Sequence, residues 1–362
     1  VVAARRRPTV TARNGVTTQP VSVRRAGKGR YRLRAVFPFS GRWQLLVGRR
    51  RLATVTVRPA APLRSTLPCA DAFALCAGTG PPYPQYALSW DPAGGLWAAC
   101  RQQARLHRID LASGETRAIL RLTSGAPYSI AAGLGAVWSA ERSPNVNRLD
   151  LRTGRATTAI AGHSIAYVWT AAGSVWAADD QESLLVRYDP SAGRIVATIP
   201  TGIGTSALHE EGDRIWILNH RDGTLERVDP ATNTATILGR LPGDARERIT
   251  YAEGSLWVTG RGTDLLRVDT ETGGVQASIE IGAGGIDVRA AAHSIWVAAA
   301  SDAEDRQGNP VLERLLRVDP QTNAVTETLR PTARLVVNGM VSTGNALWLA
   351  DTAGGRLFRV SR

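Results

Sequence analysis

The stretch GSLWVTGRGTDLLRVDTETGGVQASI, from Gly254 to Ile279, decides the fold. It holds one tryptophan, Trp257, one Arg-Val-Asp triplet ending at Asp269, and one polar turn. The unit recurs. An aliphatic residue followed by tryptophan appears as Leu96-Trp97, Val137-Trp138, Val175-Trp176, Ile215-Trp216, Leu256-Trp257, Ile295-Trp296 and Leu347-Trp348. Successive tryptophans lie 41, 38, 40, 41, 39 and 52 residues apart. Asp110, Asp150, Asp189, Asp229, Asp269 and Asp319 follow the first six, and Ser361 takes that place in the seventh. Self-similarity at a period near 40 marks a repeat architecture.

Each copy reads as four short antiparallel strands. In the fifth they are expected at 248–252, 255–260, 265–269 and 274–279. The turns DLASGET, DLRTGRA, DPSAGRI, DPATNTA, DTETGGV and DPQTNAV are one hairpin six times over. Their aspartates can accept backbone N–H bonds, and the glycine or asparagine beyond tolerates positive φ. These aspartates are therefore turn residues whatever the protein does. A small sheet of this kind cannot bury both faces alone. Arranged radially, each sheet packs on its two neighbours, and the tryptophans fill the gaps between them. Burying one indole removes roughly 150–250 Å² from water, worth several kcal/mol before entropy. Trp90 and Trp169 lie off this register and are freer for other work.

The expected fold is thus all-β: a seven-bladed β-propeller of four-stranded antiparallel blades over residues 61–362. The seventh copy ends after its third strand, RLFRVS. A closed ring must borrow the fourth from the other end. The segment LRSTLP, residues 63–68, resembles the fourth strands IVATIP and VTETLRP and is expected to pair with 357–360.

Charge sets the front of the chain apart. Residues 1–60 contain fourteen arginines, one lysine and no acid, so they carry +15. The formal total is +13, which leaves −2 for the rest. Within this segment TVTAR, PVSVRRA, RYRLRAVF, WQLLVG and ATVTVRP alternate apolar with polar or basic residues, the period-two pattern of half-buried strands. It reads as part of an immunoglobulin-like sandwich. Such a cationic module suits an anionic envelope polymer, lipid headgroups or nucleic acid. The absence of a basic-aromatic stacking platform argues against nucleic acid. No apolar run is long enough to span a bilayer. Cys69 and Cys76 sit close together and Cys100 apart, which leaves a bridge or three reduced thiols both open.

The unit "LWV…LLRVDTETGGV" resembles the YVTN-type, quinoprotein-like β-propeller repeats and, more distantly, the streptogramin (virginiamycin B) lyase family. That resemblance covers about 290 residues. The run GRYRLRAVFPFSGRWQLLVG resembles the last strands of the small secreted domains related to YtkA and FixH. The lyase resemblance implies histidines at matching places on neighbouring blades, a carboxylate and Mg²⁺. Here His163 lies 13 residues before Trp176, and His209 lies 7 before Trp216, so the two are not equivalent. The candidates it leaves are His220 as base and Asp179 or Asp180 as metal ligand.

In a propeller the inter-blade loops and the loops between second and third strands share one face. The long insertion, residues 301–313, falls there, and its Asp302, Glu304 and Asp305 are candidate oxygen ligands for Ca²⁺. At the channel mouth, where first strands begin, the sequence places Tyr86, Tyr128, His163, Ser206, Arg246, Arg248, Asp287, Arg334 and Asn338. Arginine and tyrosine there suit an anionic or carbohydrate-like ligand. The reading is an exported, monomeric envelope protein of the cell exterior or periplasm. It binds a protein, a carbohydrate or an anionic polymer without catalysis or cofactor. The alternative is a propeller enzyme with Mg²⁺ or Ca²⁺, either an eliminase or a lactonase or hydrolase.

Overall fold

The computed structural model describes residues 2–3, 8–14, 17–34, 41–57, 63–67, 72–74, 88–91, 95–100, 105–111, 116–121, 127–140, 144–179, 181–243, 246–304, 310–343, 346–351 and 356–361. The chain divides into two compact units, Val1–Pro62 with Asp319–Thr326, and Leu63–Val318 with Glu327–Arg362. No helix among the described residues is long and apolar enough to cross a membrane.

The first unit is a six-stranded sheet. Its strand Thr17–Gly27 pairs through its first half with Val10–Asn14 and through its second half with Arg30–Arg34. Alternation sends Val10, Ala12, Val21, Val23 and Tyr31 inward, while Arg24, Arg32 and Arg34 stay exposed.

Among the described residues of the second unit, seven sheets follow one another along the chain. The fifth is typical, with strands Arg246–Ala252, Ser255–Gly260, Asp264–Asp269 and Val275–Glu280, each hydrogen-bonded to the next. The first strands of successive sheets pack side by side, and Val337–Ser342 of the last packs on Leu88–Asp91 of the first. This is a β-propeller. The seven repeat tryptophans, at most 3% exposed, all lie in second strands. Trp216 packs with Ile249 and Leu256 of the next sheet, and Trp138 with Ile165 and Val175. They fill the gaps between sheets, as expected.

The Arg-Val-Asp triplet has two structural jobs. Its arginine faces the tryptophan across the strand pair, as in Trp257↔Arg267. Six guanidinium groups lie 5.1–6.0 Å from the indole centroids. In the fourth sheet Tyr251 stacks on Trp216 instead, at 5.8 Å. The aspartate folds the turn. Asp269 Oδ1 accepts the amides of Glu271 and Thr272 and the Thr272 hydroxyl, and Asp150, Asp189 and Asp229 accept the two corresponding amides in their turns.

One expectation needs correction. The strand Leu63–Leu67 does not pair with the last repeat. It lies parallel to Ala324–Pro331 as a fifth strand of the sixth sheet, with Leu329 opposite Ser65. The fourth strand of the last sheet is Ala72–Ala74, antiparallel to Arg356–Ser361, with Leu357 opposite Phe73. The borrowed strand exists, but it comes from the next short segment. The resemblance of LRSTLP to outer strands was real: it does run along an outer strand. Alternation fixes that a segment is a strand, not which edge it takes.

Candidate functional site

Antiparallel pairing sets the start of each first strand beside the end of its second strand, as Ser129↔Ala140 and Thr205↔Asn219 show. The first strands line the channel. A cavity of about 310 Å³ runs along them, and its wall includes Trp90, Tyr128, Tyr167, Trp169, Arg248 and Asp287.

Most polar groups on this wall hold the sheets together. Ser89 Oγ accepts the Ala132 amide, and the Thr170 hydroxyl donates to the Ala132 carbonyl. Glu210 accepts the Ala172 amide at 2.5 Å, and the Ser206 hydroxyl donates to the Glu247 carbonyl. Asp287, 1% exposed, accepts the amides of Val288 and Met340 at 2.8 and 2.7 Å and pairs with Arg289 at 3.1 Å. Arg289 in turn donates to the Met340 carbonyl. Asp287 and Arg289 therefore clamp the sixth sheet to the seventh, and little of that carboxylate remains for a ligand.

Arg248 differs. Its guanidinium donates to the Glu247 carbonyl at 3.0 Å and stands 3.8 Å from the Glu247 carboxylate, with a quarter of the side chain exposed. Burial would lower its pKa, but Tyr167, Asp287 and Glu247 outweigh this and hold it charged. Beside it the aromatics form a continuous surface. Tyr128 meets Tyr167 edge-on at 5.4 Å, and Tyr167 stacks on Trp169 at 5.8 Å. Burial pushes the Tyr167 phenol pKa up, against the pull of Arg248, so this hydroxyl stays protonated. A fixed cation next to π-faces and a phenol can pair with one oxyanion and stack one ring.

The other candidates fall elsewhere. His163 bonds Asp179 through Nδ1 at 3.1 Å, tying the loop before one strand to the end of the next. Asp179 also accepts the amides of Gln181 and Glu182 at 3.1 Å. Burial would raise its pKa, but the Glu182 amide and the His163 ring lower it further, and the carboxylate is committed. His220 Nδ1 meets the Gly204 carbonyl at 2.6 Å, in the fourth sheet. Thus His220 and Asp179 each serve their own sheet. Arg334 is exposed and is not part of the cavity wall. Arg246 and Asn338 are described as backbone in the strands Arg246–Ala252 and Val337–Ser342. Asp302 and Glu304 lie in Ser294–Glu304, whose outer end pairs with Pro310, so the insertion lengthens a hairpin. Tyr86, Asp180, Asp305, Cys69 and Cys76 lie outside the described residues.

No three His, Cys, Asp or Glu side chains among the described residues group so as to hold a metal ion. The Mg²⁺ implied by the lyase resemblance finds no donor set among the described residues: Asp179 already accepts two amides and a ring nitrogen, His220 uses Nδ1 on the Gly204 carbonyl and keeps only Nε2, and no third His, Cys, Asp or Glu joins them. Tyr167, Glu210 and Arg289 escaped the sequence reading. Each is unique to its sheet, and no period announces it. Trp90 and Trp169 did carry a signal: they stand off the tryptophan register, and both line the cavity.

The fold and its channel define a β-propeller. No family model matches the sequence, and no curated protein matches it. Solved structures do resemble it. A streptogramin B lyase structure aligns with TM-score 0.63 and 16% identity, over 80% of this chain and 95% of that one. Virginiamycin B lyase from Staphylococcus aureus aligns at TM-score 0.63 with 14% identity, over 80% of this chain and 98% of the other. A catalytically inactive form of that enzyme with quinupristin gives 0.62 and 14%, with the same coverage. At these identities the likeness is one of fold.

Proposed function

We propose that this is an exported envelope protein whose propeller channel binds a small ligand without catalysis. The ligand carries one oxyanion and a ring face, as an acidic sugar or an aryl carboxylate does. The observation that supports this is Arg248: a charged, partly exposed guanidinium in a cavity beside Tyr128, Tyr167 and Trp169. The other charged groups of that wall are engaged in clamps between sheets. Saturation-transfer NMR against uronic acids and aryl carboxylates tests it. The Arg248→Met variant is expected to weaken any hit at least tenfold, since a desolvated charge-assisted pair contributes about 1.5–3 kcal/mol. A hit indifferent to Arg248 would refute the reading.

The second reading is a lyase-like enzyme. It rests on the fold likeness to virginiamycin B lyase, whose inactive form is known with quinupristin. Consumption of quinupristin by this protein with Mg²⁺, abolished in His220→Ala, would establish it over the first.

A further inference from the structure

The first unit carries a second surface, independent of the channel. In the ribbon formed by Thr17–Gly27 and Arg30–Arg34, Arg24 stands directly opposite Arg32, and Ser22 opposite Arg34. Period-two alternation adds Arg30 to the same side. All four arginines are exposed, while Val21, Val23 and Tyr31 point the other way into the core. Three guanidinium stems therefore follow one strand at intervals of about 7 Å. The fourth sits across from the middle one, at a Cβ separation of about 5 Å. Like charges directly opposite on a sheet destabilise it. Sheets ordinarily interleave acids, yet residues 1–60 contain none. Among the described residues no carboxylate pairs with Arg24, Arg30, Arg32 or Arg34. The face is a row of unneutralised forks whose repulsion a bound polyanion would relieve.

We propose that this arginine row binds a linear phosphodiester polymer without bases. Each diester offers two free oxygens to a guanidinium fork. The row is a line three residues long with one flanking charge, which suits a chain better than a broad membrane surface. The ribbon's one aromatic, Tyr31, is buried on the opposite side, so this ribbon offers bases no ring to stack on.

The test titrates the full chain with synthetic poly(glycerol phosphate) across a salt series. Each neutralised phosphate contributes about 0.7–0.9 to the salt slope, so four arginines give a slope near 3. The Arg24→Gln/Arg32→Gln/Arg34→Gln variant is expected to lose at least about tenfold in affinity at low salt, with the slope falling below about 1. It should melt no lower than the parent, because it removes like-charge repulsion. A control, Arg152→Gln/Arg155→Gln/Arg194→Gln, removes the same charge from exposed propeller positions and should bind as the parent does. Equal losses in both variants would reduce the effect to net charge and overturn the proposal. So would no binding at low salt, or tighter binding of oligothymidylate or anionic vesicles than of the polymer.

Discussion

Trp257 shows how little freedom a repeat residue has. Its indole N–H donates to the Ala252 carbonyl at 3.2 Å, the Arg267 guanidinium covers its ring at 5.3 Å, and Arg267 is itself held by Ser255. Trp257→Ala is expected to cost about 3–5 kcal/mol, the range for a buried aromatic truncated to alanine, whereas Arg267→Gln should cost only about 1 kcal/mol. Urea unfolding of the two variants separates these, and comparable losses would mean that the arginine, not the ring, carries the packing. His209 makes a pH prediction. Burial, with Arg289 nearby, lowers its pKa to about 4 from 6.5. The unfolded chain then binds a proton between pH 6.5 and 4 that the folded chain refuses. Its contribution is complete above pH 6.5 and falls away by up to about 3 kcal/mol on acidification toward 4. His209→Gln should flatten that limb of stability against pH, and an unchanged limb would show that the ring is protonated in the native state. Tryptophans were legible in the sequence because they repeat. Arg248, Tyr167 and Asp287 occur once each. Residue type and position could nominate Arg248 and Asp287 together, but only hydrogen bonds separate the open cation from the clamp.

At the scale of the strand and turn, a two-residue hairpin of type I′ between a first and a second strand needs positive φ at both positions. Glu253-Gly254 meets this with φ of 49° and 74°. The sixth sheet uses Ala292-His293, at 48° and 55°, with His293 exposed. A side chain in this region costs roughly 1–2 kcal/mol, and glycine costs roughly 0.5–1 in chain entropy. His293→Gly should therefore stabilise the protein by about 0.5–1 kcal/mol, read as a raised urea midpoint at constant slope. A lowered midpoint would show that the imidazole makes a contact worth more than the strain. The other turns answer to acid. Hydrogen bonds from the turn, the backbone amides foremost at Asp150, Asp229 and Asp269 and the Ser191 hydroxyl foremost at Asp189, hold these four carboxyls below the usual carboxylate pKa. That stabilisation is complete above the unfolded value and is lost only as pH falls through the folded one, below the window of His209. Elements of this kind were readable to within two residues, since alternation and turn chemistry are local. The strand Ala72–Ala74 was not. It is three residues long, too short to alternate, and only partners some 280 residues away make it a strand.

That strand matters most for the molecule as a whole. Ring closure joins the beginning of the propeller to its end, and here the join is the pairing of Ala72–Ala74 with Arg356–Ser361. Leu63–Leu67 contributes differently: it covers the outer edge of a sheet that already has four strands of its own. Unpaired edges invite association, so covering one guards solubility more than stability. The two segments should therefore fail in distinguishable ways. Deleting 72–74 leaves Arg356–Ser361 as an open edge on the last sheet, and amide exchange should accelerate there first. Opening is expected to lower the melting temperature by roughly 5 °C or more, at about 2–4 °C per kcal/mol for a large domain. Deleting 63–67 should leave exchange in Arg356–Ser361 unchanged and instead promote concentration-dependent self-association, seen by light scattering. If the shorter deletion left Arg356–Ser361 fully protected, the ring would be held by packing between its first and last inner strands, Leu88–Asp91 and Val337–Ser342, and the borrowed strand would be dispensable.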